Sequence, residues 1–194
     1  MGVFKKKQLE EIAAGLERSG QRFLWVVRKP PPVENEKESS SDGTEFEIDD
    51  ILLEGFLTRT RDRGLVVKNW APQLAVLEHE SVGGFVSHCG WNSSLEAIVC
   101  GVPMVAWPLY AEQRMNREYL VEEMKVALRL TMSADGFVAA DVVEETLRKL
   151  MEGEEGRAVR NQVLEMSRKA KAAVEDGGSS RVDFLKLTRP WTDM

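Results

Sequence analysis

A histidine, a glycine, an asparagine and a serine stand close together in one segment, followed by a carboxylate. The segment reads His88-Cys89-Gly90-Trp91-Asn92-Ser93, with Glu96 three residues later. A strand is predicted before it and a helix from Asn92 onward, with Gly90 in the turn, where a glycine lets a ligand approach the backbone. Free N–H groups and the dipole at a helix start favour a phosphate, and His88, Asn92 and Ser93 add side-chain donors. This segment therefore predicts a phosphate site.

The same residues have an interpretation that needs no ligand. Ser93-x-x-Glu96 is also the pattern of a capping box, in which the two side chains satisfy backbone groups at a helix start. Both interpretations stay open at this point.

Trp70 follows a predicted strand and precedes Ala71, Pro72 and Gln73. A tryptophan in this position can offer a flat face to a nucleotide base, and such stacking contributes roughly 1–3 kcal/mol. The alternative is that Trp70 belongs to the core, and the same alternative applies to Trp91 and Trp107.

Glu112 and Gln113 form a third polar group, at the start of a predicted helix. An adjacent carboxylate and amide can hold the hydroxyls of a sugar. The alternative is an acidic first helical turn, which the helix dipole favours without any ligand.

Short apolar runs alternate with helical patterns along most of the chain. This alternation predicts βαβ units with a parallel sheet, flanked by helices on both faces, and therefore an α/β fold. Strands are predicted at 23–27, 65–67, 84–87, 104–106 and 126–130. Helices are predicted over 9–16, 73–78, 92–100, 112–123, 142–150 and 159–173, with a further one after Gly177-Gly178.

Two features break this regular pattern. Residues 29–50 contain three consecutive prolines and many charged or small residues, which predicts a mobile loop. The chain also begins directly with a helical pattern, whereas a doubly wound α/β domain normally opens with a strand. We therefore expect the first strand, which would lie near the centre of the sheet, to be absent, and Met1 to correspond to an internal methionine of a longer chain.

Composition excludes several classes of function. The net charge of −6 comes from 32 acidic and 26 basic residues among 194, which argues against nucleic acid or a membrane anchor. The spacing of His79, His88, Cys89 and Cys100 matches no familiar zinc module, so no metal site is predicted and free thiols are expected. We also expect a cytoplasmic protein, because no signal peptide or transmembrane segment is found.

Taken together, the motifs from Trp70 to Gln113 resemble the signature box of plant secondary-product glycosyltransferases over its whole length. Residues 8–28, Gly55-Phe56-Leu57 and Asp176-Gly177-Gly178-Ser179-Ser180 are similar to the same UDP-dependent family, family 1, so the resemblance covers nearly all of the chain. Members of this family have two facing Rossmann-like domains, the GT-B fold. The resemblance implies that residues 1–194 are the C-terminal, UDP-sugar-binding domain, without the N-terminal acceptor domain.

The resemblance also implies a role for each residue of the box. Trp70 would stack on uracil, the Ala71 backbone would bond to its edge, and Gln73 and Glu96 would bind the ribose. His88, Asn92 and Ser93 would hold the diphosphate, and Trp91, Glu112 and Gln113 would contact the sugar. The final glutamine is associated with glucose, so UDP-glucose is the expected donor. Glu112 stands where many relatives carry aspartate, and the extra methylene could alter the sugar preference.

The family reaction transfers the sugar with inversion to a hydroxyl of a small metabolite, such as a flavonoid or another phenolic. Its general base is a histidine near the N-terminus of the full enzyme, so no catalytic residue is expected here, and neither His79 nor His88 is expected to replace it. A glycine-serine turn that contacts phosphate in relatives would lie before Met1. The UDP-sugar is a substrate and no cofactor or metal is implied.

Two functions therefore remain. The chain is either the donor-binding part of a UDP-glucosyltransferase, working with a separate N-terminal half, or a non-catalytic UDP-sugar-binding module such as a truncated paralogue. A nicotinamide-dependent oxidoreductase is not supported, since no GxGxxG follows a predicted strand.

Overall fold

A computed structural model describes residues 3–31 and 46–192 of the chain, in which helices and strands alternate along most of the sequence. The helices are α1 (Lys6–Ser19), α2 (Ile48–Ile51), α3 (Phe56–Thr60), α4 (Gln73–Leu77), α5 (Trp91–Cys100), α6 (Gln113–Glu118), α7 (Ala140–Glu152), α8 (Glu154–Val174) and α9 (Ser179–Thr192), and a π-helical turn (Tyr119–Glu123) continues α6. The strands are β1 (Phe23–Val27), β2 (Gly64–Lys68), β3 (Phe85–Ser87), β4 (Met104–Ala106) and β5 (Ala127–Arg129). The predicted α/β class and each predicted strand are confirmed.

All strand pairs are parallel, as predicted. β1 pairs with β2, Phe23 lying opposite Gly64. β4 lies between β3 and β5, with Met104 opposite both Phe85 and Ala127. Among the described residues the strands form two sheets, of order β2-β1 and β3-β4-β5, where one sheet was predicted.

Helices cover both faces of the three-stranded sheet. Met104 and Ala106 of β4 belong to a core that also contains Ile98 of α5 and Val163 of α8. Val105, which points to the opposite face, belongs to a second core formed with α1 and α7. Alternate residues of a strand point to opposite faces, so one buried strand connects two cores.

Helix α1 buries the apolar stripe that its sequence predicts. Leu9, Ile12, Ala13 and Leu16 are all buried, and Gly20 ends the helix in the left-handed conformation with a φ of 71°. A third core lies between α1, β1 and the two short helices α2 and α3, and it contains Leu9, Val27 and Phe56.

Two polar side chains of α1 hold the start of α7. The Gln8 amide nitrogen donates to the carbonyl of Val138 (2.8 Å), and the Gln8 amide oxygen accepts from the N–H of Val138 (2.9 Å). The Glu11 carboxylate accepts from the N–H of Ala140 (2.6 Å). Because the N-cap residue Ala139 has no side chain able to cap, α1 supplies the acceptor from a distant part of the chain.

The predicted loop over 29–50 is too long at its C-terminal end. Residues 32–45 lie outside the described residues, but Phe46 is buried and Ile48–Ile51 form α2. Phe46 and Ile51 pack into the third core, so burial stabilises a helix too short for periodicity to reveal. For the described part of the chain, no helix has both the length and the apolar character needed to cross a membrane.

Candidate functional site

The predicted binding residues lie near the carboxyl ends of the parallel strands. Trp70, Ala71 and Gln73 follow β2, the segment from His88 to Glu96 follows β3, and Glu112 and Gln113 come after β4. In open α/β sheets, ligands bind in the crevice outside the carboxyl ends of the strands. Topology therefore brings the groups after β3 and β4 to one edge, and a hydrogen bond from Gln73 to Glu96 joins the group after β2 to them.

Helix α5 begins at Trp91, one residue earlier than predicted, and this rejects the capping-box interpretation. Gly90 is the N-cap residue, in an extended conformation, and no side chain caps the helix. Ser93 is the third residue of the helix, whereas a capping box needs its serine at the N-cap. The first helical bond runs from the N–H of Ser94 to the carbonyl of Gly90 (3.0 Å). The N–H groups of residues 91–93 are thus free for an anion.

The His88 imidazole lies directly over Gly90. A Cβ on Gly90 would overlap Nε2 of His88 and lie 2.9 Å from its Cε1, so only glycine fits this turn without moving the ring. The turn passes through Cys89, which has a positive φ of 62° and whose N–H donates to Ser87 Oγ (3.1 Å). The His88 ring is therefore placed beside the free amides at the start of α5.

The charge state of His88 is set by its surroundings. Burial lowers its pKa below the usual value, the positive charge of Arg28 lowers it further, and the carboxylate of Glu112 opposes both effects. The ring is neutral at pH 7 and has one N–H to donate. Arg28 and Glu112 therefore act on the same imidazole.

Gln73, Ser93 and Glu96 form one hydrogen-bonded group. The amide nitrogen of Gln73, the first residue of α4, donates to Ser93 Oγ (2.9 Å) and to Glu96 Oε2 (2.7 Å). None of the described residues donates a hydrogen bond to the other oxygen of this carboxylate, Glu96 Oε1, so this oxygen can accept from a ligand hydroxyl.

Trp70 is an exposed tryptophan, with 71% of its surface accessible. The backbone N–H of Trp70 donates to the carbonyl of Lys68 (2.7 Å), and the preceding residue, Asn69, has a φ of 65°. The chain therefore turns sharply after β2. Arg28 Nε donates to the carbonyl of Asn69 (3.3 Å), which links this turn to the end of β1. The alternative that Trp70 is a core residue is therefore wrong.

The other two tryptophans differ from each other. Trp107 is buried and packs against Phe4 at 5.0 Å between ring centroids, so the core interpretation is correct for it. Trp91 is exposed at the first turn of α5, with its ring 6.2 Å from that of Tyr119. Only Trp91 of this pair can touch a ligand.

Gln113 is buried and supports the loop before α6. Its amide oxygen accepts from the N–H groups of Leu109 (2.8 Å) and Tyr110 (3.0 Å). Its amide nitrogen bonds to none of the described residues and can donate to a ligand. Glu112 is exposed at the N-cap position of α6, and Asn92 and Ala71 make no side-chain or loop hydrogen bond to the described residues.

Two supporting residues were missed by the sequence reasoning. Asn116 is buried in α6, and its amide nitrogen donates to the carbonyl of Cys89 (2.9 Å), which ties α6 to the turn under His88. Arg28 holds the Trp70 turn. Neither contact leaves a local signal, because the partners are 27 and 41 residues apart.

The thiols have no evident chemistry. Cys89 is fully buried, and burial raises the pKa of its thiol to about 12. Both cysteines are free, and within residues 3–31 and 46–192 no three His, Cys, Asp or Glu side chains cluster in a way that could hold a metal ion.

Comparison with known proteins identifies close relatives of this chain. The family described as "UDP-glucoronosyl and UDP-glucosyl transferase" matches residues 3–168. The chain is 74% identical to UDP-glycosyltransferase 88B1 of Stevia rebaudiana and 56% identical to an anthocyanidin 5,3-O-glucosyltransferase of a Rosa hybrid cultivar. Each match covers 98% of this chain but only 39% of the relative, so the chain spans about two fifths of these proteins.

A solved structure shows the same fold. Phytolacca americana UGT2, complexed with UDP-2fluoro-glucose and pterostilbene, matches with a TM-score of 0.87 and 45% identity, over 98% of this chain and 40% of that one. The α/β fold, with Rossmann-like parallel strands flanked by helices, is therefore that of the C-terminal part of a GT-B protein, as predicted.

Proposed function

Since the chain belongs to the UDP-glucoronosyl and UDP-glucosyl transferase family, we propose that it binds the donor, a UDP-sugar, for transfer to a small-molecule hydroxyl. Its part in that reaction is donor binding. The activity, acceptor and partners of a whole enzyme are proposals of the same kind, because the relatives are more than twice as long.

The observation that supports this proposal most strongly is the arrangement of hydrogen-bond donors at the start of α5, beside His88. Three consecutive amides without helical partners and a neutral imidazole converge there, at the carboxyl end of β3. They would hold the diphosphate, with Asn92 and Ser93 as side-chain donors. Donors fixed in advance also stabilise the negative charge that develops on UDP as it leaves.

Trp70 and the Gln73 group lie on the β2 side and would hold the uridine. The exposed indole face would stack on uracil, and the free backbone groups of Ala71 would bond to its edge. Gln73 keeps Glu96 in place, and Glu96 Oε1 would accept from the ribose hydroxyls. A carboxylate that accepts from both hydroxyls selects ribose over deoxyribose.

Trp91, Glu112 and the amide nitrogen of Gln113 would contact the sugar. Glucose is the proposed sugar, since several relatives of this chain are named glucosyltransferases. Those names include an anthocyanidin and an isoflavone 7-O-glucosyltransferase, which supports a flavonoid or related phenolic as the acceptor.

In the transfer step the acceptor oxygen attacks the anomeric carbon of the sugar. The bond from this carbon to the leaving UDP oxygen breaks, and the configuration of the carbon inverts. The proton of the hydroxyl passes to a general base. We assign no such base in this chain, since His88 belongs to the phosphate region and His79 lies in the exposed turn after α4. The base and the acceptor pocket would come from an N-terminal half.

A second candidate is a UDP-sugar-binding module that does not transfer. Every role assigned above is in donor binding, which is all that such a module requires. Mixing the chain with the N-terminal half of the Stevia relative, UDP-glucose and a flavonoid distinguishes the two. Product formation supports the transferase, and donor binding without product supports the module.

The proposed site is tested by titrating UDP into Trp70→Ala, with Phe184→Ala as the control, since Phe184 is also a strongly exposed aromatic, on α9. Loss of stacking should cost roughly 1–3 kcal/mol, about 5- to 150-fold in affinity. The control should bind like the parent chain. Unchanged affinity in Trp70→Ala would contradict the proposal.

A further inference from the structure

Arg28 is a partly buried arginine that follows β1 directly, beside the proposed donor site. Its Nε donates to the carbonyl of Asn69 (3.3 Å), in the turn that presents Trp70. None of the described residues accepts a hydrogen bond from its other two nitrogens, Nη1 and Nη2. Both of these nitrogens carry N–H groups, so both can donate to a ligand.

The guanidinium of Arg28 is also close to His88. Its positive charge lowers the pKa of the imidazole, in opposition to the carboxylate of Glu112. The His88 ring in turn lies over Gly90, at the start of α5. Arg28 is thus near both the turn that presents the indole and the turn that leads into α5.

The proposed site has donors for a diphosphate but little positive charge to match it. The N–H groups at the start of α5 and the His88 ring are neutral at pH 7, and Glu96 and Glu112 contribute carboxylates. A diphosphate adds further negative charge, and like charges at close range repel each other. A cation at the site would offset this repulsion.

Other arginines of the chain use their charge in ion pairs. Arg129, for example, bonds to Glu118 (2.6 Å) and to Glu122 (2.9 Å). Arg28 forms no ion pair with the described residues, and its one hydrogen bond goes to a neutral carbonyl. Planar guanidinium groups bind phosphate oxygens well, through two parallel N–H bonds. The unpaired guanidinium of Arg28 therefore suits a phosphate ligand.

We propose that Arg28 binds the diphosphate of the donor through Nη1 and Nη2, while its Nε holds the Trp70 turn. This inference rests on the proposed donor site and adds to it a cation from the end of β1, outside the segment from Trp70 to Gln113. One side chain would then connect recognition of the base with recognition of the phosphates.

The test compares the affinities of the whole chain for UDP and for uridine, measured by nuclear magnetic resonance titration. Uridine has the same base and ribose but no phosphate. A hydrogen bond to a charged group contributes enough to change affinity roughly tenfold or more. Arg28→Gln should therefore weaken UDP binding at least tenfold more than uridine binding. Equal loss for the two ligands would show that Arg28 only holds the Trp70 turn, and would overturn the proposal.

Arg28→Lys tests the contribution of the positive charge. The lysine keeps the charge but has one nitrogen where arginine has three, so it should recover part of the UDP affinity that the glutamine variant loses. Added salt should weaken UDP binding to the parent and lysine chains more steeply than to the glutamine variant, because salt screens the attraction. A lysine variant that binds UDP no better than the glutamine variant would contradict the proposal.

Arg22→Gln is the matched control, because it removes the same charge from the other end of the same strand. Arg22 is exposed and lies just before β1, about 20 Å from Arg28 along the strand. This variant should bind both ligands like the parent chain. An equal loss of UDP affinity in Arg22→Gln would show an effect of net charge alone and would overturn the proposal.

Thermal unfolding without ligand shows whether each variant is folded. If Arg28→Gln does not fold, the ratio of UDP to uridine affinity in Arg28→Lys, which keeps a donor for Asn69, decides the question. A lower ratio than in the parent chain supports the proposal, and an unchanged ratio overturns it. A parent chain that does not bind UDP would contradict the proposed function itself, whereas normal UDP binding by a folded Arg28→Gln would contradict only the role of Arg28.

Discussion

At the level of single residues, the turn from Ser87 to Trp91 places the His88 ring beside the N–H groups at the start of α5. The His88 ring lies against Gly90, and Cys89 takes a left-handed conformation. Asn116 of α6 donates to the carbonyl of Cys89. Each of these contacts fixes the direction of the α5 amides. Substitutions in this turn should therefore weaken ligand binding.

Gly90→Ala is the most direct test of this turn. The added methyl displaces the His88 ring, so UDP affinity should fall about tenfold or more, while the overpacking costs about 1–3 kcal/mol of stability. Calorimetric titration with UDP and thermal melting measure the two effects. Gly83→Ala is the control, because its methyl would press on the flexible end of Met151 and make an ordinary contact with Arg160. Equal loss of affinity in both variants would contradict the assigned role.

The lowered pKa of His88 leads to a pH prediction. A bound diphosphate favours the imidazolium and therefore raises the pKa of His88. A ligand that raises a pKa binds more tightly as the pH falls from the pKa of the complex to the pKa of the free protein. Affinity for UDP-glucose, whose phosphates do not titrate near neutrality, should therefore increase from about pH 8 to about pH 5.5. His88→Gln should flatten this dependence, and His79→Gln should not.

The free protein should respond to acid in the opposite direction. The folded-state pKa of His88 is below its unfolded value, so its contribution to stability is present above the unfolded pKa and is lost as the pH falls through the folded one. Acid should thus weaken the free fold while it strengthens donor binding. Parallel trends in the two measurements would count against the assignment of His88.

At the level of elements, the contact between α1 and α7 is the strongest link between distant parts of the chain. Glu11 of α1 replaces the cap that the α7 sequence lacks, and Gln8 holds Val138 just before the helix, across 129 and 130 residues. The same pair of helices spans the two sheets. Damage to this contact should loosen both sheets together.

Gln8→Ala should therefore destabilise the protein. It leaves the N–H and C=O of Val138 buried without partners, which costs about 1–3 kcal/mol. Urea unfolding followed by circular dichroism measures this loss. Gln21→Ala is the control, because Gln21 bonds at the surface, to Glu152. A Gln8 variant as stable as the control would contradict this role.

At the level of the whole molecule, apolar side chains are exposed on several elements. They include Leu24 of β1 and Leu65 of β2, and Phe184, Leu185 and Leu187 of α9, which packs on α8. Exposed strand edges and large apolar patches promote association. Both surfaces therefore favour self-association of the chain.

We expect the chain expressed alone to aggregate or to fold loosely. Light scattering after size exclusion should show higher-mass species, and thermal unfolding should be broad. A monomer with a sharp, cooperative melt would contradict this prediction.

The sequence alone determined the elements whose signal is local. The helical pattern of α1 and the apolar run of β1 each depend on residues a few positions apart, so periodicity was enough to predict them. The short helix α2 and the first residue of α5 were not predicted correctly, because burial of Phe46 and Ile51 and the position of Gly90 are consequences of packing.

The candidate site shows the same division. The residue types from Trp70 to Gln113 were sufficient for the family resemblance and for a list of binding residues. Only the tertiary structure decided that Trp70 is exposed while Trp107 is buried, that Ser93 meets Gln73 instead of capping α5, and that the described strands form two sheets. Exposure and strand pairing depend on residues far apart in sequence, and no local pattern encodes that distance.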